Sequence, residues 1–317
     1  MINTVCGPVS AEDLGVTLAH EHFVFGYSGH LADFTCGPFD RDKAKADCMA
    51  VLSKLKAHDV NTVIDATPND QGRNPEFLKE LSEESGVNII CSTGLYKQTS
   101  SGFEYFNIRG MFGHDTTQDV YEMMVAEITQ GIGKTGIKAG AIKVATGKEI
   151  AGLEKMFFAA AGRASKTCDV PVMTHTESGL CADEQLDMLL EAGANPKRII
   201  IGHLCDLEVS RRMMKRGANI SYDRFGLVGE FGRALGCPED EVKVDNLIQL
   251  IDEGFGDQIL ISNDYVIHVI GRPFEWGIKE WYTLRVHEFI LPMLRERGLP
   301  EDAIQRLLVG NPKRIYG

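Results

Sequence analysis

Six side chains able to do metal or acid–base chemistry stand within or just after short apolar runs of this sequence. His20-Glu21-His22 closes one run, and Lys143 lies inside Ala141-Ile142-Lys143-Val144-Ala145. His175 closes Val172-Met173-Thr174-His175, His203 follows Ile201-Gly202, and Asp264 follows Ile261-Ser262-Asn263. Alternate residues of an extended strand share a face, so His20 and His22 point to one side while Glu21 points to the other. Two imidazoles on one face can grip a metal ion. Taken singly, a histidine at a strand end is ordinarily a hydrogen-bonded structural residue, and a lysine in an apolar strand can snorkel its ammonium to the surface. Glu177 reads as a helix-capping group or a partner of a nearby ligand. Four histidines, one lysine and one aspartate on five separate runs are a different matter, provided the fold brings those ends together.

The elements that must position them are eight apolar, β-branched runs at 16–22, 60–67, 87–96, 139–147, 170–176, 198–204, 218–224 and 258–265. Runs that are apolar on both sides are expected of buried parallel strands, and their alternation with helical stretches implies βαβ units. The 41–58 stretch places Ala44, Cys48, Val51, Leu52 and Leu55 on one helical face, and 183–192 groups Leu186, Leu189 and Leu190. Gly193 follows the second helix as a C-cap, as Gly254 does for a helix around 244–253. Eight such units predict an α/β fold, a (β/α)8 TIM barrel in one domain spanning 1–317, with all six residues at the C-terminal rim where such barrels carry their sites. The 100–117 stretch, rich in Gly, Phe and polar residues, reads as an extra loop.

With 33 Lys+Arg against 45 Asp+Glu the chain carries a net charge of −12, and no basic run exceeds two residues. That disfavours a phosphate-gripping nucleic-acid binder, which needs clustered cations. No apolar run approaches the roughly 20 residues that cross a bilayer, and the first residues lack the basic and apolar regions of a signal peptide, so the chain reads as cytoplasmic. Eight cysteines without a Cys-x-x-Cys pair read as reduced, small apolar residues. His30, His58, His114 and His287 lack a surrounding motif and read as surface or packing residues.

The chain resembles the phosphotriesterase-related family of the amidohydrolase superfamily, and specifically its lactonase branch. The resemblance rests on Gly7-Pro8-Val9-Ser10 through Leu14-Gly15-Val16-Thr17-Leu18-Ala19-His20-Glu21-His22 and on Asn311-Pro312, and it runs over essentially the whole chain. It implies a binuclear site in which His20, His22 and Asp264 bind a buried α metal and His175 and His203 bind a more exposed β metal. Lys143, N6-carboxylated by carbon dioxide, would bridge the two with a hydroxide. The chemistry explains the lysine, because an ammonium would repel two cations whereas a carbamate offers each an oxygen. Zinc leads on ligand type, with cobalt, manganese or iron open.

A hydroxide between two divalent ions is a nucleophile at neutral pH, able to attack an ester, lactone or phosphotriester, with Asp264 shuttling the proton. Tyr96, in Thr93-Gly94-Leu95-Tyr96, and Arg224, in Asp223-Arg224-Phe225-Gly226, resemble the lactonase branch, where the tyrosine approaches the reacting oxygen and the arginine anchors the loop architecture. Read alone, Tyr96 is core packing and Arg224 an ion pair with Asp223. The 265–276 stretch, with Val266, Ile267, Val269, Ile270, His268 and Arg272, is expected to wall the substrate pocket or pack against the preceding loop. The leading expectation is a lactonase for small-molecule lactones, including acyl-homoserine lactones, with promiscuous phosphotriesterase or arylesterase activity. The alternatives are a phosphotriesterase, another ester or sugar-lactone hydrolase, or a non-catalytic binding relative. A homodimer is implied by the resemblance alone.

Overall fold

The computed structural model describes residues 1–100, 103–272, 274 and 276–317. Each of the eight apolar runs carries a strand, the first continuing past residue 22 to Phe25. They are β3 (Val16–Phe25), β4 (Val60–Asp65), β5 (Asn88–Leu95), β6 (Ala141–Ala145), β7 (Val172–His175), β8 (Ile199–Ile201), β9 (Asn219–Tyr222) and β10 (Ile259–Ile261). Three further strands escape the apolar-run pattern. β1 (Ile2–Thr4) and β2 (Gly7–Val9) form an antiparallel hairpin ahead of the first run, and β11 (Val266–Val269) lies just past Asp264. Strands of three or four residues are too short to show a period.

The large sheet has the order β10-β9-β8-β7-β6-β5-β4-β3-β11, and its pairs are parallel. Apart from β11, neighbours in space are neighbours in sequence, as chains of βαβ units require. The sheet curls until its ends meet. The amide of Asp264 donates to the carbonyl of His20 at 3.0 Å, and that of His22 to the carbonyl of Tyr265 at 3.0 Å.

The two faces of the strands bury different residues. One residue from nearly every strand, namely Ala19, Ile64, Ile90, Ala141, Met173, Ile200 and Leu260, packs into a cluster inside the curl. Their neighbours, such as Leu18, Val63, Ile89, Ile142, Val172, Ile199 and Ile259, pack outward in the main core. Side chains alternate along a strand, so two residues beyond Ala141 and Met173 come Lys143 and His175, on the inward face directly above that apolar layer. β3 reaches the same result by an irregularity, its pairing register with β4 shifting between Leu18 and Glu21.

The covering helices follow their apolar spacing. Arg41–Ala57 buries Ala44, Cys48, Leu52 and Leu55, and Asp40 caps it by accepting the amide of Lys43. Ala182–Glu191 buries Leu186 and Leu189, and the chain turns away through Gly193 at φ +91°. The expected 100–117 loop is corrected in part. It carries the helix Glu104–Met111, and at Thr116 the helix Thr116–Thr129 begins, while residues 101 and 102 lie outside the described residues. Among the described residues no helix is long and apolar enough to cross a membrane. All eight cysteines are free thiols.

Candidate metal centre

The structure brings His20, His22, Lys143, His175, His203 and Asp264 around one cavity of about 250 Å³, whose wall also includes Tyr96 and Arg224. His20, Lys143 and His203 are at most 1% exposed, and His22 and His175 are buried as well. The Nε2 atoms of His20 and His22 lie 3.4 and 3.3 Å from Oδ1 of Asp264, so these three donors share one small sphere. Nδ1 of His175 lies 2.8 Å from Nε2 of His203. Lys143 sits between the groups, its Nζ 3.0 Å from His20 Nε2 and 3.3 Å from the carbonyl of Thr174.

Hydrogen bonds on the far side of the rings fix which nitrogen faces the cavity. Asp223 accepts from Nδ1 of His20 at 2.7 Å and from Nδ1 of His203 at 2.8 Å. The hydroxyl of Thr67 donates to the carbonyl of Val24, so it accepts from Nδ1 of His22, at 2.8 Å. Each of these rings therefore presents an Nε2 lone pair inward, the arrangement typical of histidine metal ligands. Burial lowers the His20 imidazole to about 3, Lys143 lowering it further against Asp223 and Asp264. It likewise lowers His175 and His203. His20, His175 and His203 are thereby neutral and available as ligands.

Burial also lowers the Lys143 amine to about 8, with Asp264 and Asp223 opposing. A neutral amine is the form that adds carbon dioxide. Gly94 is what lets β5 approach here. It adopts φ +129°, and a Cβ on it would fall 1.9 Å from the carbonyl oxygen of Lys143.

His203 and Asp264 occupy the left-handed region, at φ +60° and +53°. Non-glycine residues pay of order 1–3 kcal/mol for this, a cost that gathers at functional sites. Hydrogen bonds hold both in place, from the His203 amide to Asp223 Oδ1 at 3.1 Å and from the Asp264 amide to His20. On the other face of β3, Glu21 accepts from Ser262 Oγ, the Asn263 amide, Asn263 Nδ2 and the Tyr265 amide at 2.8–3.3 Å, tying that strand to the end of β10. Burial nevertheless pushes its carboxyl up to about 8.

Several expectations need correction. Arg224 does not pair with Asp223. Its Nε donates to Oδ2 of Asp264 at 3.1 Å, and its Nη1 is buried with no hydrogen-bond partner among the described residues. Asp223, taken from the sequence only as a partner for Arg224, is instead the carboxylate that orients two histidines; its place at the end of β9, on the same rim as the other ends, was the available signal. Glu177 caps no helix but contacts His175 and Lys97. In the 265–276 stretch, Val266 and Trp276 line the cavity, whereas Ile267 and Ile270 pack on the main core. His268 pairs with Asp47 and Arg272 with Asp33, and residues 273 and 275 lie outside the described residues. Tyr96 places its hydroxyl 3.4 Å from His175 Nδ1, and burial raises its proton affinity, so it stays a donor.

The donor set fits metal ions, with imidazole lone pairs and a carboxylate converging in a buried polar pocket. Comparison with known proteins identifies the family. A phosphotriesterase homology protein of Mycobacterium tuberculosis is 30% identical over 99% of this chain and 97% of its own length. The crystal structure of a PTE-like lactonase mutant from Deinococcus radiodurans matches with a TM-score of 0.95 at 41% identity, covering 100% of both chains. An organophosphorus hydrolase from the same organism matches with a TM-score of 0.95 at 41% identity, over 100% of this chain and 96% of the other. Residues 1–316 match the model of the phosphotriesterase family, and the chain belongs to that family.

Proposed function

We propose that this chain, a single (β/α)8-barrel domain over 1–317, is a binuclear metal-dependent hydrolase that opens lactone rings and acts more weakly on phosphotriesters and aryl esters. The observation that carries this reading is the convergence of His20, His22, Lys143, His175, His203 and Asp264 on one cavity that Tyr96 and Arg224 also line. His20, His22 and Asp264 would hold one ion, His175 and His203 the other, and Lys143, as a carbamate, both. Zinc is the leading ion, with cobalt, manganese or iron as other occupants. When bound, two divalent ions polarise the substrate's oxygen and lower the proton affinity of water.

The chain's own residues do the rest. The neutral Lys143 amine forms a bond to carbon dioxide and releases one proton, becoming an anionic carbamate with two oxygens. Asp264 accepts the proton of the attacking water and passes it to the leaving alkoxide. Arg224, through its Nε, fixes Oδ2 of Asp264. Tyr96 donates its hydroxyl to the carbonyl oxygen as charge develops there. Phe25, Trp276 and Trp281 supply apolar walls that shed water and suit an acyl chain.

The PTE-like lactonase neighbour supports lactones, and the organophosphorus hydrolase neighbour supports triesters as the second reading. The reading further takes the substrate to be a small molecule and the enzyme to be a cytoplasmic homodimer. Metal analysis followed by a lactone hydrolysis screen tests it. About two ions per chain and turnover of a lactone are expected; a protein that binds no metal would overturn the reading.

A further inference from the structure

Three of the four cavity histidines are oriented from below by buried groups, Asp223 and Thr67. His175 is oriented otherwise. Its far-side nitrogen is Nε2 rather than Nδ1, and that atom faces Oε1 of Glu177 at 3.4 Å. Glu177 lies two residues past the end of β7, and the same oxygen, Oε1, also receives Nζ of Lys97, which lies two residues past the end of β5. The side chains of Lys97 and Glu177 are only 19% and 17% exposed, so this is no solvated surface pair. Lys97 also lies 5.4 Å from the ring centre of Tyr96, and both Lys97 and Glu177 line the cavity mouth.

We infer that Glu177 is the positioning residue that sets the tautomer of His175, and that Lys97 holds Glu177 to that task. The inference rests on the metal reading above. A neutral imidazole has one N–H. If Nε2–H donates to the Glu177 carboxylate, Nδ1 is left as a lone pair. That lone pair then faces the lone pair of His203 Nε2 at 2.8 Å. Two lone pairs so placed repel each other unless a cation lies between them, which is the arrangement a metal pair of ligands requires. With the opposite tautomer, Nδ1–H would donate to His203 Nε2, and neither atom would be free to ligate.

Lys97 adds a second effect. Because it shares Oε1 with His175, its charge draws on the carboxylate and weakens the hydrogen bond from Nε2–H. The pair therefore tunes the donor strength of one ligand from the rim, on the same loops that carry Tyr96 and receive substrate.

The test is stepwise metal release from cobalt-loaded enzyme with a chelator, followed by absorbance and without substrate. Glu177→Ala should let one ion go at about 10–100-fold lower chelator concentration, the usual cost of losing a group that orients a histidine ligand. The other ion should leave as in the unaltered enzyme. Glu177→Gln, whose amide oxygen still accepts from Nε2–H, should restore part of the loss. Lys97→Met, which frees Glu177 from its anchor, should loosen the same ion only, and by less than Glu177→Ala because the carboxylate then binds Nε2–H more strongly. The melting temperature of the metal-free Glu177→Ala protein should match that of the unaltered chain. Unchanged release of both ions in Glu177→Ala would overturn the inference, as would an equal shift of both ions together with a lower melting temperature. An unaltered chain that holds no cobalt would instead overturn the metal reading itself.

Discussion

The Nε of Arg224 donates to Oδ2 of Asp264 at 3.1 Å, and this contact joins the residue after β9 to the residue after β10. Asp264 is held well below the usual carboxylate range. Burial opposes this, but the polar groups packed around it, the Arg224 charge among them, outweigh it. Removing the guanidinium raises the proton affinity of Asp264, and only the ionised carboxylate accepts a proton. Arg224→Met should therefore lower kcat by roughly 10²-fold, the low end of the usual range for a proton-transfer group. The acidic limb of its pH profile should move to higher pH. A profile that keeps its acidic limb would show that Arg224 does not act through Asp264.

Asp223 serves two rings at once, through Oδ2 to His20 and Oδ1 to His203. An asparagine has one oxygen and one amide nitrogen. Asp223→Asn can thus accept from only one Nδ1–H and must present N–H donors to the other ring, forcing that ring to the tautomer that points N–H into the cavity. Metal affinity should fall by about 10–100-fold with little change in fold, as checked by metal titration alongside far-ultraviolet circular dichroism. Full metal occupancy in Asp223→Asn at stoichiometric metal would contradict this.

Lys143 is 1% exposed and its nearest polar contacts are His20 Nε2 and a backbone carbonyl. Lys143→Ala should lose metal and activity together, and a small carboxylate such as acetate should restore part of both by supplying the missing oxygens. Rescue by methylamine rather than acetate would favour an amine as the working group and refute the carbamate.

Outside the curl, Arg73 grips Glu127 with two hydrogen bonds, of 2.7 and 2.9 Å, and Thr93 and Asn69 also donate to this carboxylate. The side chains are 7% and 13% exposed, so removing one partner strands a buried charge. Glu127→Ala should cost about 3–5 kcal/mol in the denaturant-unfolding free energy. Burial raises the carboxyl, yet the Arg73 bonds win and lower it. A lowered carboxylate stabilises fully above its unfolded value of about 4.3 and loses that contribution as pH falls toward its folded value. The unaltered chain should lose stability between those values, and Glu127→Ala should lack that component. A cost under about 1 kcal/mol would class the pair with exposed surface bridges.

Much of this was legible in the chain because periodicity and strand ends are local properties. The eight apolar runs located their strands, and the i, i+2 spacing of His20 and His22 placed both rings inward. What escaped depends on contacts between distant segments. Asp223 and Arg224 are adjacent in sequence and of opposite charge, so pairing them was the natural reading. In the fold the left-handed turn at Asp264 brings its carboxylate to Arg224, while Asp223 turns to His20, 203 residues away in sequence. Lys97 and Glu177 meet only because β5 and β7 flank β6 in the sheet. The 265–276 stretch mixes wall and packing residues because its first part pairs with β3 as a strand, Val266 opposite His22 and Val269 opposite Phe25.

Tyr96 decides between the two substrate readings. A lactone carbonyl is planar, and attack on it creates a tetrahedral oxyanion, so a phenol hydroxyl at the cavity can donate to that oxygen as charge develops. Such a donor is worth about 10²–10³ in rate when it acts alone, and less where it shares the task. A phosphotriester is already tetrahedral and bulkier, and the Tyr96 ring, 5.1 Å from the His175 ring centre, narrows the space such a substrate needs. The kcat/KM for the best of a panel of γ-, δ- and acyl-homoserine lactones should exceed that for paraoxon-like triesters by at least roughly tenfold, about 1.4 kcal/mol in barrier. Tyr96→Phe keeps the ring and deletes the donor, so it should slow lactones more than triesters and narrow the gap. Equal or better efficiency on triesters in the unaltered enzyme would move the chain to the organophosphate-hydrolase reading. An equal loss on both substrates in Tyr96→Phe would mean that the hydroxyl serves His175 rather than the developing oxyanion.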